Sequence, residues 1–242
     1  MGKAMTRLIA IDADDTLWDC QSHFDNVERR YFDLLAPYGT PDFIHAQLFE
    51  TEKRNMATLG FGSKAFTLSL IENALRVSGG DISSARIAEI ISLGKSLLQM
   101  PTPPLPGVAE TLSLLRDMTQ GVRAPYIYKG VRMIVFTKGE IIEQENKLMR
   151  SGLAGYFDDV HIVADKTQGS FLRLCRLYNV VPQELLMIGN SFKSDIAPAL
   201  AIGANAIYIP FHNTWKMEYS EEFEHANLIK VSRFSDIIGY FC

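Results

Sequence analysis

Cysteine is scarce: the 242 residues hold three, Cys20, Cys175 and Cys242, standing far apart. None has CxxC spacing and their odd number makes no disulfide framework, so a cysteine zinc site, a redox pair and a disulfide-stapled fold are excluded, and a reducing cytoplasm suits them. Cationic excess is also missing. Lys and Arg number 24 against 28 Asp and Glu, a formal charge of −4, which leaves no broad positive surface for a phosphate backbone; nucleic acid is not an expected partner. No apolar run approaches the roughly 18 residues that span a membrane, and the stretch before Arg7 is too short and polar for a signal peptide. There is no internal repeat and no low-complexity tract. A cytoplasmic protein without a membrane partner is expected, and nothing in the sequence sets its oligomeric state.

What is present is 47% hydrophobic and 21% charged sequence, ample for a core. The apolar residues are grouped. Residues 7 to 11 form a short run that stops at Asp12, Asp14 and Asp15, as a buried parallel strand stops at its carboxyl end. Val131 to Phe136 stops at Thr137, Val160 to Val163 before Asp165 and Lys166, Leu185 to Ile188 at Gly189-Asn190, and Ala206 to Ile209 at Pro210. Helical spacing fills the intervals, as in Val108, Leu112 and Leu115, or Phe171, Leu174, Cys175 and Tyr178. Strands alternating with helices predict an α/β fold with a doubly wound parallel sheet. Residues 19–100 break the alternation: they contain no strand and show about four helical patterns, punctuated by Gly60-Phe61-Gly62, Gly79-Gly80-Asp81 and the proline-rich return from Pro101 to Pro106. The expected organisation is an α/β core of residues 1–18 and 101–242, with a helical insertion of residues 19–100. Gly121 to Gly130 reads as a loop.

Ligands of open α/β sheets bind outside the carboxyl ends of the strands, which collects Asp12, Asp14, Asp15, Thr137, Lys166, Asn190 and Asp195 into one candidate site. Acids, a hydroxyl and a lysine suit a hard cation together with a phosphoryl group. In order, Asp12-Ala13-Asp14-Asp15-Thr16-Leu17, Thr137, Lys166 and Gly189-Asn190-Ser191-Phe192-Lys193-Ser194-Asp195 resemble the four motifs of the haloacid dehalogenase superfamily. The resemblance covers roughly residues 7–17 and 105–210, and the insertion matches the position of that family's small helical cap. It implies a Rossmann-like core and a Mg²⁺-dependent phosphomonoesterase acting on a small phosphate ester. Asp12 would be the nucleophile and Asp14 the general acid and base. Thr137, the backbone N–H of Lys138 and Lys166 would hold the phosphoryl oxygens. The Asp12 carboxylate, the Asp14 carbonyl and Asp195 would bind Mg²⁺. A helical lid suggests closure over a small substrate rather than a protein one.

Two positions depart from the pattern. Asn190 stands where the family often has a second acid; it can offer a carbonyl oxygen or hold a metal-bound water with one negative charge fewer. Lys138 follows the Thr137 position where a small neutral residue is usual, and could either meet an anionic substrate or point to solvent. Asp15 and Thr16 read as turn residues; Trp18, His23, Arg54 and Lys64, in or near the insertion, could face the substrate but read as ordinary residues there; and His212, Trp215 and Lys216 read as packing or surface residues of the C-terminal tail. Dehalogenation would need no acid at Asp14, since halide leaves unprotonated; a phosphomutase would share every motif. A receiver domain would need a phosphoaccepting Asp between residues 101 and 136 and has no place for the insertion. A binding-only relative is the remaining alternative.

Overall fold

Short apolar runs become strands where helices can bury them on both faces. In the computed structural model, which describes residues 5–241, β1 (Leu8–Ile11), β2 (Arg132–Lys138), β3 (Asp159–Val163), β4 (Leu185–Gly189), β5 (Asn205–Tyr208) and β6 (Leu228–Lys230) form one sheet. The readings made on Cys242 and on residues 1–4 lie outside the described residues. The sheet order is β3-β2-β1-β4-β5-β6, and every neighbouring pair is parallel. The chain works outward in one direction from β1 and in the other from β4, so the order reverses between them, the place where such sheets hold ligands.

Eight α-helices lie among the described residues: α1 (Gln21–Leu35), α2 (Pro41–Leu59), α3 (Ser63–Val77), α4 (Ser84–Leu97), α5 (Val108–Gln120), α6 (Ile141–Ser151), α7 (Gln168–Tyr178) and α8 (Ala197–Ala201). The chain divides into two compact units. The first comprises Met1–Gln21, Thr102–Lys138 and Leu148–Cys242; the second comprises Ser22–Pro101 with Gly139–Lys147.

In the first unit the period of two is visible in what each strand residue touches. Ile9, Ile11, Met133, Val135, Leu186 and Ile188 face one core with Leu112 and Leu115 of α5, while Leu8, Ala10, Ile134, Phe136, Leu185 and Met187 face another with Phe171, Leu174 and Cys175 of α7. Each fully buried Leu or Ile contributes roughly 1.5–3 kcal/mol relative to exposure. The apolar runs are therefore continuous rather than alternating because both faces are covered. The sixth strand, unforeseen in the sequence, is a three-residue edge strand whose residues stay half-exposed, so it leaves no buried run to read. Gly121 to Gly130 is more than a loop: it carries a 3₁₀ turn, Tyr126–Tyr128, whose Tyr128 is buried edge-on against Phe241 at 5.1 Å.

In the second unit, Val27, Tyr31, Leu35, Ile44, Leu48, Phe66, Leu70, Ala74, Ile90, Leu93 and Leu97 form the core of α1 to α4. Its one buried phenol is satisfied: Tyr31 Oη donates to the Leu70 carbonyl at 2.9 Å and accepts from Asn73 Nδ2 at 2.9 Å. Thr40 and Ser83 cap α2 and α4. Gly62, ahead of α3, has no side chain to do so, and Glu143 takes that duty, accepting from the Ser63 N–H at 2.9 Å and its hydroxyl at 2.6 Å. Gly94 of α4 lies so near α3 that a Cβ there would stand 2.0 Å from Thr67 Oγ1, so no larger residue fits without moving the helices apart. No helix among the described residues is long and apolar enough to cross a membrane.

Candidate functional site

Asp12 leaves β1 with its backbone still in the sheet, its N–H donating to the Ile188 carbonyl at 2.9 Å. Its carboxylate is buried and accepts on both oxygens: Oδ1 from Lys166 Nζ, Oδ2 from Thr16 Oγ1 at 3.2 Å. Lys166 comes from the loop after β3 and is held from both sides. Asp165 Oδ1 accepts from its N–H at 2.9 Å, and Thr167 immediately after it caps α7 reciprocally with Ser170. The Lys166 ammonium also donates to Asp195 Oδ1 at 2.6 Å, so one buried lysine bridges the two carboxylates. Burial alone would lower its pKa, but the charges of Asp12 and Asp195 outweigh burial and hold it above the usual lysine range. Burial, then the Asp12 charge, raise the Asp195 pKa, with Lys166 working against them.

Asp195 is placed by a turn that only glycine permits. A Cβ on Gly189 would stand 2.3 Å from Asp195 Oδ2, so the carboxylate lies directly over the end of β4. The same Oδ2 accepts from the Ser191 N–H at 2.9 Å. Residues Phe192–Ile196 form a π-helical turn, a wider loop than an α-helical one, of a type that recurs at functional sites.

Asn190 occupies the ground between β1 and β4. One atom of its amide head is 3.1 Å from Asp12 Oδ2, 3.1 Å from the Asp14 carbonyl oxygen and 3.0 Å from Thr16 Oγ1. Turned one way, its NH₂ donates to all three. Turned the other, its oxygen meets two acceptors, an arrangement that repels unless a cation lies among them. Octahedral Mg²⁺ with oxygens at about 2.1 Å places neighbouring ligands about 3 Å apart, so the Asp12 carboxylate, the Asp14 carbonyl and the Asn190 amide oxygen are a donor set that fits a small hard cation. Among the described residues there is no group of three or more His, Cys, Asp or Glu that could hold a metal. Asp195, expected in the same set, accepts here from Lys166 and the Ser191 N–H, while the amide head nearest the Asp12 carboxylate and the Asp14 carbonyl is that of Asn190.

Asp14 points its carboxylate elsewhere, accepting from Trp18 Nε1 at 2.8 Å. Trp18 is fully buried, and its backbone carbonyl also accepts from the Asp15 N–H at 2.8 Å, so the indole is a fixed donor. Asp15, at φ 61°, turns away to accept from the N–H groups of Cys20 and Gln21 at 2.8 and 2.9 Å, tying the turn to the start of α1. Burial is the main reason its pKa rises to about 7. Thr137 is the next-to-last residue of β2, beside β1 and one residue beyond the level of Asp12, since Ile11 is in register with Val135. Its hydroxyl is buried and reaches the Lys138 carbonyl at 3.5 Å, too far to hold it.

Lys138 neither reaches into solvent nor stands as an unmatched cation. Its ammonium pairs with Glu218 of the C-terminal tail and donates to Ser194 Oγ at 2.8 Å. Burial alone would raise the Glu218 pKa; the Lys138 charge and the hydrogen bonds from Lys138, Ser191 and Ser194 outweigh it and bring it down to about 2. The structure thus brings Asp12, Lys166, Asn190, Asp195 and the Asp14 carbonyl together, sets Thr137 alongside, and commits Lys138 to another partner. Thr16, Trp18, Ser191, Ser194 and Glu218 also belong to this constellation; Ser191 and Ser194 lay within the fourth motif, and Glu218 was not foreseen. Trp18 had a readable signal, its place four residues after Asp14; Glu218, 80 residues from Lys138, had none.

The profile of the haloacid dehalogenase-like hydrolases matches residues 6–203. A protein named glyceraldehyde 3-phosphate phosphatase from Methanothermobacter thermautotrophicus is 25% identical, with 96% of this chain and 97% of that protein covered. Its namesake from Pyrococcus abyssi is 24% identical, over 86% of this chain and 82% of its own length. A solved haloacid dehalogenase-like family hydrolase from Xanthomonas campestris superposes with a TM-score of 0.83 at 26% identity, covering 98% of this chain and 91% of that one.

Proposed function

We propose a phosphatase reaction on one premise: this chain belongs to the haloacid dehalogenase-like hydrolase family. The observation that carries the reading is the pairing at the end of β1: a buried Asp12 carboxylate held by Lys166, and two residues on an Asp14 carboxylate held by Trp18. One oxygen of Asp12 attacks phosphorus, the bond from phosphorus to the ester oxygen breaks, and Asp14 gives that oxygen its proton. Asp14 then takes a proton from water as the water oxygen attacks phosphorus, the Asp12–phosphorus bond breaks, and inorganic phosphate leaves. Lys166 and the Thr137 hydroxyl balance charge on the phosphoryl oxygens, and Lys166 is held above the usual lysine range, so it stays cationic throughout.

Mg²⁺ fits this reading, held by the Asp12 carboxylate, the Asp14 carbonyl and the Asn190 amide oxygen, where it would screen the approach of an anionic ester to a carboxylate. Asn in place of an acid leaves the set one charge poorer, so weak metal affinity is expected. Asp195 acts in this reading as the second anchor of Lys166 rather than as a ligand. The helical insertion, residues 19–100, is assigned the role of substrate-selecting cap. The substrate is a small phosphate monoester, and the relatives named above make three-carbon sugar phosphates the first esters to try.

The test is release of inorganic phosphate from a panel of small esters, glyceraldehyde 3-phosphate included, with and without Mg²⁺, beside Asp12→Asn. Turnover that needs Mg²⁺ and disappears in the variant supports the reading. Turnover that Asp12→Asn leaves intact, or none on any ester, contradicts it.

A further inference from the structure

The C-terminal tail lies outside all four motifs, yet it places a carboxylate against two of the loops that build the site. Glu218 ends a 3₁₀ turn, Lys216–Glu218, closed by its own N–H on the Trp215 carbonyl at 2.8 Å. Its Oε1 takes the Lys138 ammonium, from the residue after Thr137. Its Oε2 takes two hydroxyls at once, Ser191 Oγ and Ser194 Oγ, each at 2.6 Å. The Glu218 side chain is 13% exposed and that of Lys138 17%. One further bond joins the same partners: Lys193 Nζ donates to the Met217 carbonyl at 2.5 Å.

What this carboxylate grips is the turn that presents Asn190 and Asp195. Ser191 receives the Ser194 N–H on its hydroxyl at 3.0 Å and sends its own N–H to Asp195 Oδ2 at 2.9 Å. Asp195 in turn anchors Lys166, which holds Asp12. A π-helical turn has fewer favourable backbone contacts than an α-helical one and needs outside support to keep one shape. Three charge-assisted hydrogen bonds on one largely covered carboxylate are strong support.

Resting on the phosphatase reading, we propose that Glu218 is a positioning residue for the reaction. It fixes the Ser191–Ile196 turn, and through Asp195 the Lys166–Asp12 pair, without touching substrate. It also explains the departure at Lys138: the lysine is the cationic half of a clamp, and its charge is spent on Glu218 rather than on an anionic group of the substrate.

The test uses the full chain with Glu218→Gln, which keeps the shape and one acceptor oxygen but removes the charge and faces an NH₂ toward a donor. Two readouts separate positioning from simple stability: amide hydrogen exchange across residues 191–196, and the split between kcat and KM on the best ester. The expected result is exchange about tenfold faster in that turn, with the strands unaffected, and kcat about tenfold lower while KM stays within about threefold. Glu218→Leu combined with Lys138→Met, which removes the unmatched cation together with every acceptor oxygen, stays equally impaired because the serines lack their acceptor. Unchanged exchange, an unchanged kcat beside active wild type, or recovery in the double variant each overturns the proposal. A wild type that turns over no ester sinks the phosphatase reading instead, and the exchange measurement still decides whether Glu218 holds the turn.

Discussion

Two residues apart on one turn, Asp12 and Asp14 share a residue type and differ in everything around them. Asp12 sits against a cation and a hydroxyl, which hold both of its oxygens in place. Asp14 meets an indole N–H at 2.8 Å, which fixes its direction. Trp18→Phe keeps the buried ring and removes that donor. It is expected to lower kcat about tenfold on an alkyl phosphate, whose leaving oxygen needs a proton, and to change the first step little on p-nitrophenyl phosphate, whose leaving group needs none. Burst kinetics on the two esters check this; an equal loss on both would place Trp18 outside the proton transfer. Asp12, Asp14 and Lys166 were legible as candidate site residues because each follows an apolar run at a strand end. Asn190 and Asp195 were legible as a pair but not in their contacts, because which one faces the Asp14 carbonyl depends on how the π-helical turn swings, and spacing does not encode that.

At the scale of elements, the parallel strands could be read because burial on both faces writes an unbroken apolar run, and four helices could be counted in residues 19–100 from their stripes. The edge strand β6 and the anchor at Tyr128 could not, since a half-exposed strand and a single buried ring leave no pattern. Nor did any periodicity reveal that α1 and α2 bury acids. Burial first, then the Asp25 charge, raises the Glu28 pKa to about 7; burial, then Glu28 itself, raises Glu52 to about 8. His45 Nδ1 stands 3.5 Å from Glu28. Both folded pKa values lie above the unfolded glutamate range, so the folded state holds more protons than the unfolded one between about pH 4.5 and 8, and stability falls as pH rises through that window. Thermal melts from pH 5 to 9 should show this decline, and Glu52→Gln should flatten it and raise the melting temperature most at the alkaline end. A melt no less pH-dependent in the variant would mean that Glu52 titrates normally.

For the molecule as a whole, the sheet's order does most of the assembly. With β1 and β4 adjacent and the order reversing between them, the ends of four strands deliver Asp12, Thr137, Lys166 and Asn190 from segments up to 178 residues apart to one edge. The tail then closes the arrangement with Glu218. Family membership and a hydrolytic reaction follow from the core that the motifs mark, whereas in the helical insertion no sequence pattern names a ligand. The claim on which the account rests is that Asp12 carries the phosphoryl group. The direct measurement is acid quenching of Asp14→Asn after mixing with p-nitrophenyl phosphate and Mg²⁺, followed by peptide mass analysis. With the leaving group independent of a proton and the water step left without its base, the peptide containing Asp12 is predicted to gain the mass of one HPO₃ group, in an amount matching the nitrophenol released. Nitrophenol release with no such adduct, or an adduct on another peptide, would contradict the mechanism.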